Sequence, residues 1–332
     1  MIGIALLGAG RIGAMHARHI AAHPRARLSA VYDAEGSAAA AVAAQCGAPA
    51  ADRAAPALDA ADAVLIASPT ATHCDYIELA AAAGKPALCE KPPGLDIARV
   101  EQCRQKLAAL GGDAIVQLGF NRRFDPGHAE LAARAASGEL GRLEKLIITS
   151  RDPAPPPADY WAVSGGLFRD MMIHDFDLAR FVLGEEPAQV FAAGGALVAP
   201  DICARCDDVD TAMVILRAAS GALCHINCSR RAAYGYDQRV EAFGAHGMLI
   251  SDNRAATAVT RHGADGARRG PLPHFFIERY AESYRRQLDA FVAAVENRRP
   301  AAPSFEDGRR ALLLANAAEK ALRRGQWAEV EF

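Results

Sequence analysis

Short apolar runs alternate with amphipathic stretches through the first third of the chain. Residues 2–7 form an apolar run, an amphipathic helical pattern continues to about His23, and residues 28–33 make a second predicted strand. This order predicts a β-α-β unit. The alternation continues with predicted helices near 37–46, 73–83 and 95–109 and predicted strands at 63–67, 87–89 and 114–118. It indicates an α/β fold, a Rossmann-type doubly wound parallel sheet.

The pattern changes after Phe120, where the predicted strands become longer. They cover 143–151, 189–199, a hairpin over 210–231 and a second hairpin over 238–251. The predicted helices of this region cover 165–184, about 275–297 and 305–324. Strands joined by hairpins favour an α+β domain with a large, mostly antiparallel open sheet. We therefore expect two domains, 1–119 and 120–332.

Length and charge exclude several classes of partner. The chain has 332 residues and a net charge of −2, and both signs are dispersed along it. Without a long basic run, neither nucleic acid nor an anionic membrane surface is an expected partner. No apolar span is long enough to cross a bilayer, and the apolar start lacks the basic region of a signal peptide. We expect a cytoplasmic protein.

The cysteines do not form a small disulfide framework, and only one subset resembles a metal site. Cys203-x-x-Cys206 followed by Cys224-x-x-x-Cys228 has a zinc-like spacing. However, residues 222–230 are predicted as a strand, which would separate Cys224 from Cys228 by roughly 13 Å. That distance is too large for two sulfurs that each lie about 2.3 Å from one zinc ion. Because the chain also lacks an H-E-x-x-H motif, we expect reduced thiols and no metal.

A glycine motif, Gly8-Ala9-Gly10-Arg11-Ile12-Gly13, stands directly between the first predicted strand and the first predicted helix. In a dinucleotide site the first glycine permits a tight turn, the second admits a pyrophosphate, and the third allows close helix packing. The start of the helix stabilises the phosphates. Asp33, 20 residues after Gly13, is placed to bind ribose hydroxyls and to repel a 2′-phosphate. This arrangement predicts NAD rather than NADP; the alternative is a glycine turn without a ligand.

Two further segments follow predicted strands at the edge where this fold binds ligands. They are Ala67-Ser68-Pro69-Thr70 and Glu90-Lys91-Pro92. Lys91 can bind a cofactor ribose and a substrate hydroxyl, and its charge favours loss of the hydroxyl proton; the alternative is a surface lysine before a proline turn. The expected cofactor-binding residues are Gly8, Gly10, Arg11, Ile12, Gly13, Asp33, Ala67, Ser68, Pro69, Thr70, His73, Glu90 and Lys91.

One continuous helix over 165–184 would place Asp170, His174 and Asp177 on one face. A carboxylate one turn from an imidazole on a largely buried helix is costly to desolvate. The pair is physically reasonable if Asp170 orients His174 as a base near neutral pH. The alternative is a buried helix–helix contact. His16, His19 and His23 lie near the first helix and are expected to be solvated or packing residues.

Three motifs together resemble the Gfo/Idh/MocA oxidoreductase family. They are Gly8-x-Gly10-Arg11-x-Gly13, Glu90-Lys91-Pro92 and Asp170-x-x-x-His174-Asp175. Segments 119–125, 150–153, 165–187 and 234–239 resemble the myo-inositol-oxidising members of that family, and the resemblance runs nearly end to end. It implies catalytic roles for Lys91, Asp170 and His174, and a homotetramer assembled through the faces of the C-terminal sheets.

An uncharged ring polyol requires a pocket of hydrogen-bonding side chains rather than a strong cationic clamp. The expected substrate-binding residues are Lys91, Asn121, Arg122, Asp152, Asp170, His174 and Tyr236. The leading hypothesis is oxidation of myo-inositol to 2-inosose, with hydride transferred to nicotinamide C4 and the proton to His174. The alternatives are oxidation of another inositol or a pyranose, an NAD-assisted glycoside hydrolase, and a regulator that senses the nicotinamide cofactor without turnover.

Overall fold

The computed structural model describes residues 1–111 and 114–332, which form two compact units. Unit 1 consists of Met1–Asn121 and Tyr284–Arg310, and unit 2 consists of Arg122–Ser283 and Ala311–Phe332. The first change of unit lies close to the expected boundary after residue 119. The return of Tyr284–Arg310 to unit 1 differs from the single division expected from sequence. The reason is packing: Leu288, Phe291 and Val292 are buried in the apolar core of unit 1.

Unit 1 contains a parallel six-stranded sheet with the order β3-β2-β1-β4-β5-β6. Its strands are β1 (Ile2–Leu7), β2 (Ala26–Tyr32), β3 (Ala50–Ala51), β4 (Ala63–Ile66), β5 (Ala87–Cys89) and β6 (Val116–Leu118). Its helices are α1 (Arg11–Ala21), α2 (Gly36–Cys46), α3 (Ala54–Asp59), α4 (His73–Ala82) and α5 (Ile97–Ala109). The predicted Rossmann-type sheet is confirmed; β3 and α3 are additions that apolar periodicity does not predict.

The order of these strands locates a ligand-binding crevice. β1 and β4 are neighbours, and the strand order runs in opposite directions on their two sides. Ligands of doubly wound sheets bind outside the carboxyl ends of the strands at such a switch point. The segments that follow β1 and β4 therefore lie at this switch point.

Unit 2 is built on a seven-stranded sheet with the order β12-β11-β7-β10-β9-β8-β15. The strands are β7 (Leu143–Arg151), β8 (Pro187–Gly195), β9 (Thr211–Ala218), β10 (Leu223–Ser229), β11 (Asp237–Gly244), β12 (Gly247–Ser251) and β15 (Ala328–Glu329), and a separate hairpin comprises β13 (Thr260–Gly263) and β14 (Gly266–Arg269). Only β7 and β10 pair in parallel within the seven-stranded sheet as described; its other pairs are antiparallel. The predicted α+β domain with a mostly antiparallel sheet is confirmed.

The remaining helices complete the chain. They are α6 (Pro126–Ala136), α7 (Ala158–Ser164), α8 (Gly166–Asp170), α9 (Ile173–Leu183), α10 (Pro200–Cys206), α11 (Phe276–Arg279), α12 (Ala281–Asn297) and α13 (Phe305–Arg324). Over the described ranges, none of the helices combines the length and apolar character that a bilayer span requires.

The two faces of the unit 2 sheet differ. One face is buried beneath apolar side chains that include Leu131 of α6, Phe176 of α9 and Leu314 of α13. The opposite face exposes large apolar side chains because successive strand residues point to opposite sides. The most exposed members of this apolar sheet face are Ile147, Met213, Ile215, Leu223, Phe243, Met248 and Ile250.

The predicted continuous helix over 165–184 is wrong. α8 ends at Asp170 and α9 begins at Ile173. The amides of Met171 and Met172 both donate to the Leu167 carbonyl, at 3.1 and 2.9 Å. This shared acceptor interrupts the regular i to i−4 register, so Asp170 and His174 lie on separate helices. Apolar residues on most faces of the segment left no periodic signal that would have revealed the break.

Gly13 and Gly10 of the glycine motif provide a matched pair of substitutions for a test of stability. A Cβ on Gly13 would lie 1.9 Å from the Gly8 carbonyl oxygen, whereas a Cβ on Gly10 would meet nothing within 4 Å. We expect Gly13→Ala to lower the free energy of unfolding by about 1–3 kcal/mol through overpacking. Gly10→Ala should cost no more than about 1 kcal/mol as a poorer helix cap. Urea denaturation of both variants measures this; equal losses would contradict the assigned contact.

Candidate functional site

The loop between β1 and α1 has the geometry of a phosphate cradle. Gly8 has a φ of +103°, and a Cβ on it would lie 2.4 Å from the Ser68 amide nitrogen. α1 begins at Arg11, and the preceding Gly10 provides no side-chain cap. The first turn of an α-helix has backbone amides without an acceptor one turn earlier in the helix, and in α1 these include the amide of Ile12. These donors and the open space at Gly10 fit a pyrophosphate.

Asp33, which follows β2, holds this loop in place. Its Oδ2 accepts the Ala9 amide at 2.6 Å, and its Oδ1 accepts the Glu35 amide at 2.8 Å. Each carboxylate oxygen retains further acceptor capacity. Asp33 can therefore brace the glycine loop and still accept hydrogen bonds from ribose hydroxyls. The sequence predicted the position of Asp33 but not its bond to Ala9.

The segment 67–70 follows β4, and His73 ties it to the segment that follows β5. The His73 ring nitrogens contact two backbone carbonyl oxygens, Nε2 with Ser68 at 2.9 Å and Nδ1 with Pro92 at 2.7 Å. The Ser68 hydroxyl also bonds to Thr72 at 2.7 Å. Burial lowers the pKa of His73. His73 was expected to contact the cofactor, but in this structure its polar atoms join two loops of the carboxyl edge.

Glu90, which follows β5, is held by His16, a residue that the sequence assigned only to packing or to solvent. His16 of α1 donates from Nε2 to Glu90 Oε1 at 2.8 Å. Burial opposes ionisation of Glu90, but the hydrogen bond and charge of His16, with the charge of Lys91, hold its pKa below the usual range. The expectation that His16 is a solvated or packing residue is therefore incomplete, because its ring fixes the carboxylate beside Lys91.

Asn121 ends unit 1 and carries a buried donor. It follows β6 and is 2% exposed, and its Nδ2 has no acceptor within the residues that the structure describes. A buried donor without an acceptor costs about 1–3 kcal/mol, so a ligand hydroxyl would stabilise it. The glycine loop, Asp33, segment 67–70, Lys91 and Asn121 thus follow five strands at one edge of the parallel sheet.

In unit 2, the parallel pair β7 and β10 brings a second set of polar residues to one edge. Arg151 is opposite Ser229, so Asp152 and Arg230 follow the two strands side by side. The Asp152 amide donates to the Ser229 carbonyl at 3.0 Å. β11 runs antiparallel to β7 and begins opposite Arg151. Tyr236, the residue before β11, therefore lies at the same edge as Asp152.

Arg122 makes its contacts within unit 2. It forms an ion pair with Asp175, and its Nη2 lies 3.3 Å from both the Ser150 hydroxyl and the Tyr236 hydroxyl. Burial opposes its charge, but Asp175 and the neighbouring tyrosines hold the pKa of Arg122 well above the usual value. Arg122 was expected to bind substrate, and in the structure it fixes Tyr236 and Asp175, the residue after His174.

Tyr236 remains a hydrogen-bond donor near neutral pH. Burial raises its pKa to about 12. Because its oxygen accepts a hydrogen bond from Arg122, its own O–H proton remains available for another acceptor. A neutral phenol that is held in this way suits a ligand hydroxyl.

Asp170 is held from two sides. Its Oδ1 accepts the Tyr160 hydroxyl at 2.9 Å, and its Oδ2 accepts Arg230 Nη1 at 3.2 Å. His174 is the second residue of α9. Sequence reasoning missed Tyr160 and Arg230; the one available signal was that Arg230 directly follows a strand that ends beside Asp152. Lys91, the third expected catalytic residue, belongs to unit 1.

Asp177, the third polar residue of the predicted helix face, is occupied by other partners. Arg123 donates from Nε and Nη2 to its two carboxylate oxygens, at 2.8 and 2.6 Å. Asp177 is buried, and this bidentate pair joins the start of unit 2 to α9.

The zinc-like spacing of the cysteines does not correspond to a metal-binding cluster in the described part of the chain. Within residues 1–111 and 114–332, no three His, Cys, Asp or Glu side chains gather closely enough to hold a metal ion. All eight cysteines are free. Cys224 and Cys228 are buried within β10, as the predicted strand requires.

Comparison with known proteins matches two successive parts of the chain. Residues 2–118 match the model described as an oxidoreductase family with an NAD-binding Rossmann fold, and residues 128–250 match the GFO/IDH/MocA C-terminal domain. The chain is 45% identical to inositol 2-dehydrogenase of Rhizobium meliloti, over 96% of each chain. It is 42% identical to myo-inositol 2-dehydrogenase of Thermotoga maritima, over 99% of this chain and 98% of the relative.

A solved structure supports the same grouping. The scyllo-inositol dehydrogenase of Lactobacillus casei, solved with NAD(H) and scyllo-inositol, superposes with a TM-score of 0.91 at 30% identity, over 99% of each chain. The glycine loop that the structure shows at the carboxyl end of β1 lies in the part that matches the NAD-binding model. The chain therefore belongs to the Gfo/Idh/MocA family of oxidoreductases, and its residues 2–118 are the family's NAD-binding Rossmann domain.

Proposed function

We propose that this protein is an NAD-dependent dehydrogenase that oxidises the C2 hydroxyl of myo-inositol to 2-inosose (scyllo-inosose). The observation that carries the proposal is the nearly full-length similarity to inositol 2-dehydrogenases at 42–45% identity. The residues support it, since unit 2 gathers hydrogen-bonding groups at one sheet edge, and its buried Arg122 and Arg230 are each paired with a carboxylate. A polyol is bound by such groups rather than by a dense cationic site.

The glycine loop and the segments beside it fit NAD. The amides at the start of α1 would hold the pyrophosphate, and Asp33 would accept the ribose hydroxyls. Segment 67–70 and Lys91 would line the remainder of the cofactor. When bound, NAD supplies the hydride acceptor for the oxidation.

The proton chemistry is assigned to three residues of this chain. His174 accepts the proton of the reacting hydroxyl, and Asp170 orients its imidazole. The Lys91 ammonium stabilises the negative charge that develops on the oxygen as the proton leaves. Asp152, Asn121 and Tyr236 are proposed to bind the other ring hydroxyls. A mismatched ring would leave buried polar groups unpaired at about 1–3 kcal/mol each, which makes stereochemical selection possible.

Turnover assays with a substrate panel test the function directly. We expect myo-inositol to give the highest kcat/KM for NADH formation among inositols and pyranoses, and NADP to be used poorly because Asp33 repels a 2′-phosphate. A much higher kcat/KM for a pyranose or another inositol would overturn the named substrate. Glycoside cleavage by protein with bound NAD and without net NADH would instead establish the hydrolase alternative.

Replacement of His174 tests the proposed base. We expect His174→Ala to lower kcat by roughly 10²–10⁴-fold, the loss associated with a missing general base. NAD affinity should hardly change, because His174 is not among the residues assigned to the cofactor. His262→Ala is the matched control, since His262 is exposed on β13. Steady-state kinetics and NAD titration measure both effects; near-normal turnover of His174→Ala would place the base elsewhere.

We also propose that the protein is a homotetramer in which the apolar sheet face of unit 2 is covered by another copy of the chain. Large apolar side chains recur on this face in several neighbouring strands, with Lys145, His225 and Glu241 between them. Monomeric proteins rarely expose large continuous apolar patches. A self-complementary sheet face is suited to a symmetric interface.

Charge introduced on this face should weaken assembly. We expect Ile215→Glu and Ile250→Glu to reduce the molar mass measured by light scattering, because each would bury a carboxylate without a partner. Leu197→Glu is the control, since Leu197 is 69% exposed on a loop outside the sheet. A tetramer that persists in the double variant Ile215→Glu/Ile250→Glu would show that this face is not the interface.

A further inference from the structure

We propose that Arg230 is a positioning residue for the proposed dehydrogenation, because it holds the Asp170 carboxylate in the orientation that His174 requires. This inference rests on the proposed function and extends it to a residue outside the predicted catalytic set. Arg230 is 1% exposed, and its Nη1 donates to Asp170 Oδ2 at 3.2 Å. Asp170 ends α8, where the helix is interrupted before α9. A contact from outside the two helices is therefore needed to fix its side chain.

Arg230 is itself held in place by contacts other than the one to Asp170. Arg230 follows β10, and its backbone amide donates to the Asp210 carbonyl at 2.9 Å. Its guanidinium stacks on the buried Trp161 ring, 4.7 Å from the ring centroid. The Trp161 Nε1 donates in turn to Asp208 at 2.6 Å. A planar cation on an aromatic face loses little freedom when it binds a carboxylate, and a lysine could not make the same combination of contacts.

Arg230 is poorly explained as a residue that serves stability alone. Its Nε and Nη2 are buried and have no acceptor within the described residues. Buried donors without acceptors are destabilising, so an arginine selected only for packing would not be expected to retain them. Arg230 carries the cost of these unpaired donors together with its hydrogen bond to Asp170. Strain or desolvation that is retained beside reactive groups is typical of functional sites.

The charge of Arg230 also acts on the pair that it positions. Burial raises the pKa of the Cys203 thiol of α10 and of the Cys228 thiol of β10, and the charge of Arg230 acts against this rise in both. Tyr160 donates to the other Asp170 oxygen, and Asp208 lies behind Trp161. In the proposed pair of Asp170 and His174, removal of the cation leaves the negative charge of Asp170 uncompensated. Protonated His174 is then favoured, and a base must be unprotonated to act.

The experiment compares Arg230→Gln and Arg230→Lys with wild-type protein, using whichever ring polyol or pyranose the wild type oxidises best. We expect Arg230→Gln to lower kcat by about 10–100-fold, the scale of a misplaced catalytic group. Its KM for NAD should not change. The acid limb of the kcat–pH profile should move to higher pH by about one unit. Arg230→Lys retains the charge but not the planar contacts, so it should restore the pH profile and only part of kcat.

Two controls separate positioning from general damage. Arg231→Gln changes the next residue, an exposed arginine, and should leave kcat and the pH profile unchanged. In an Asp170→Asn background, Arg230→Gln should cause little further loss, because residues that act through one another are not additive. A wild-type pH limb in Arg230→Gln, a full additional loss in the double variant, or an effect confined to the substrate KM would overturn the proposal.

Failure of the positioning role of Arg230 can be distinguished from failure of the proposed dehydrogenase function. If the wild type oxidises a pyranose rather than myo-inositol, the named substrate fails, but the Arg230 comparison can still be made. If His174→Ala retains near-normal turnover while Arg230→Gln lowers kcat, the assigned base is wrong and Arg230 cannot act through it. A lower melting temperature with unchanged kcat for folded Arg230→Gln would assign Arg230 to stability and overturn the positioning role.

Discussion

Parallel strand pairing is the constraint on which both candidate sites depend. In a parallel pair the carboxyl ends of the strands lie at one edge, so the residues that follow them are neighbours although they are distant in sequence. In unit 1, five segments of the site follow parallel strands at one edge of the sheet, namely β1, β2, β4, β5 and β6. Unit 2 uses this constraint once, between β7 and β10, and this single parallel pair places Asp152 beside Arg230. The polar groups are thus carried by segments whose starting points the sheets fix.

Ionisable side chains near these edges are largely committed to one another. Arg122 pairs with Asp175, Glu90 with His16 and Asp170 with Arg230. A buried charge is expensive unless it is paired, and loss of one partner leaves the other uncompensated. Such pairs contribute little net stability compared with apolar packing, but they restrict the orientation of each carboxylate. Orientation is what an acid–base site requires, because proton transfer depends on hydrogen-bond geometry.

The sequence predicted the features that depend on short segments. The glycine motif, Asp33 and the strand β5 are each encoded within a few residues, and the structure places them as expected. It could not predict that Asp170 meets Arg230, 60 positions away, or that His16 meets Glu90, 74 positions away. Such contacts depend on which elements become neighbours. The break after Asp170 was missed for a related reason, since apolar residues surround that segment and hide any change of helical register.

The break between α8 and α9 has a consequence for how the proposed base is supported. In one continuous helix, the backbone itself would set the spacing between Asp170 and His174. Here the two residues belong to different helices, so their relative orientation depends on side chains that hold each helix end. Tyr160 and Arg230 bind the two oxygens of Asp170, while Arg122 binds Asp175 beside His174. The relative orientation of Asp170 and His174 is thus set by this polar network rather than by helical geometry. For that reason it depends on residues outside the proposed catalytic set of Lys91, Asp170 and His174.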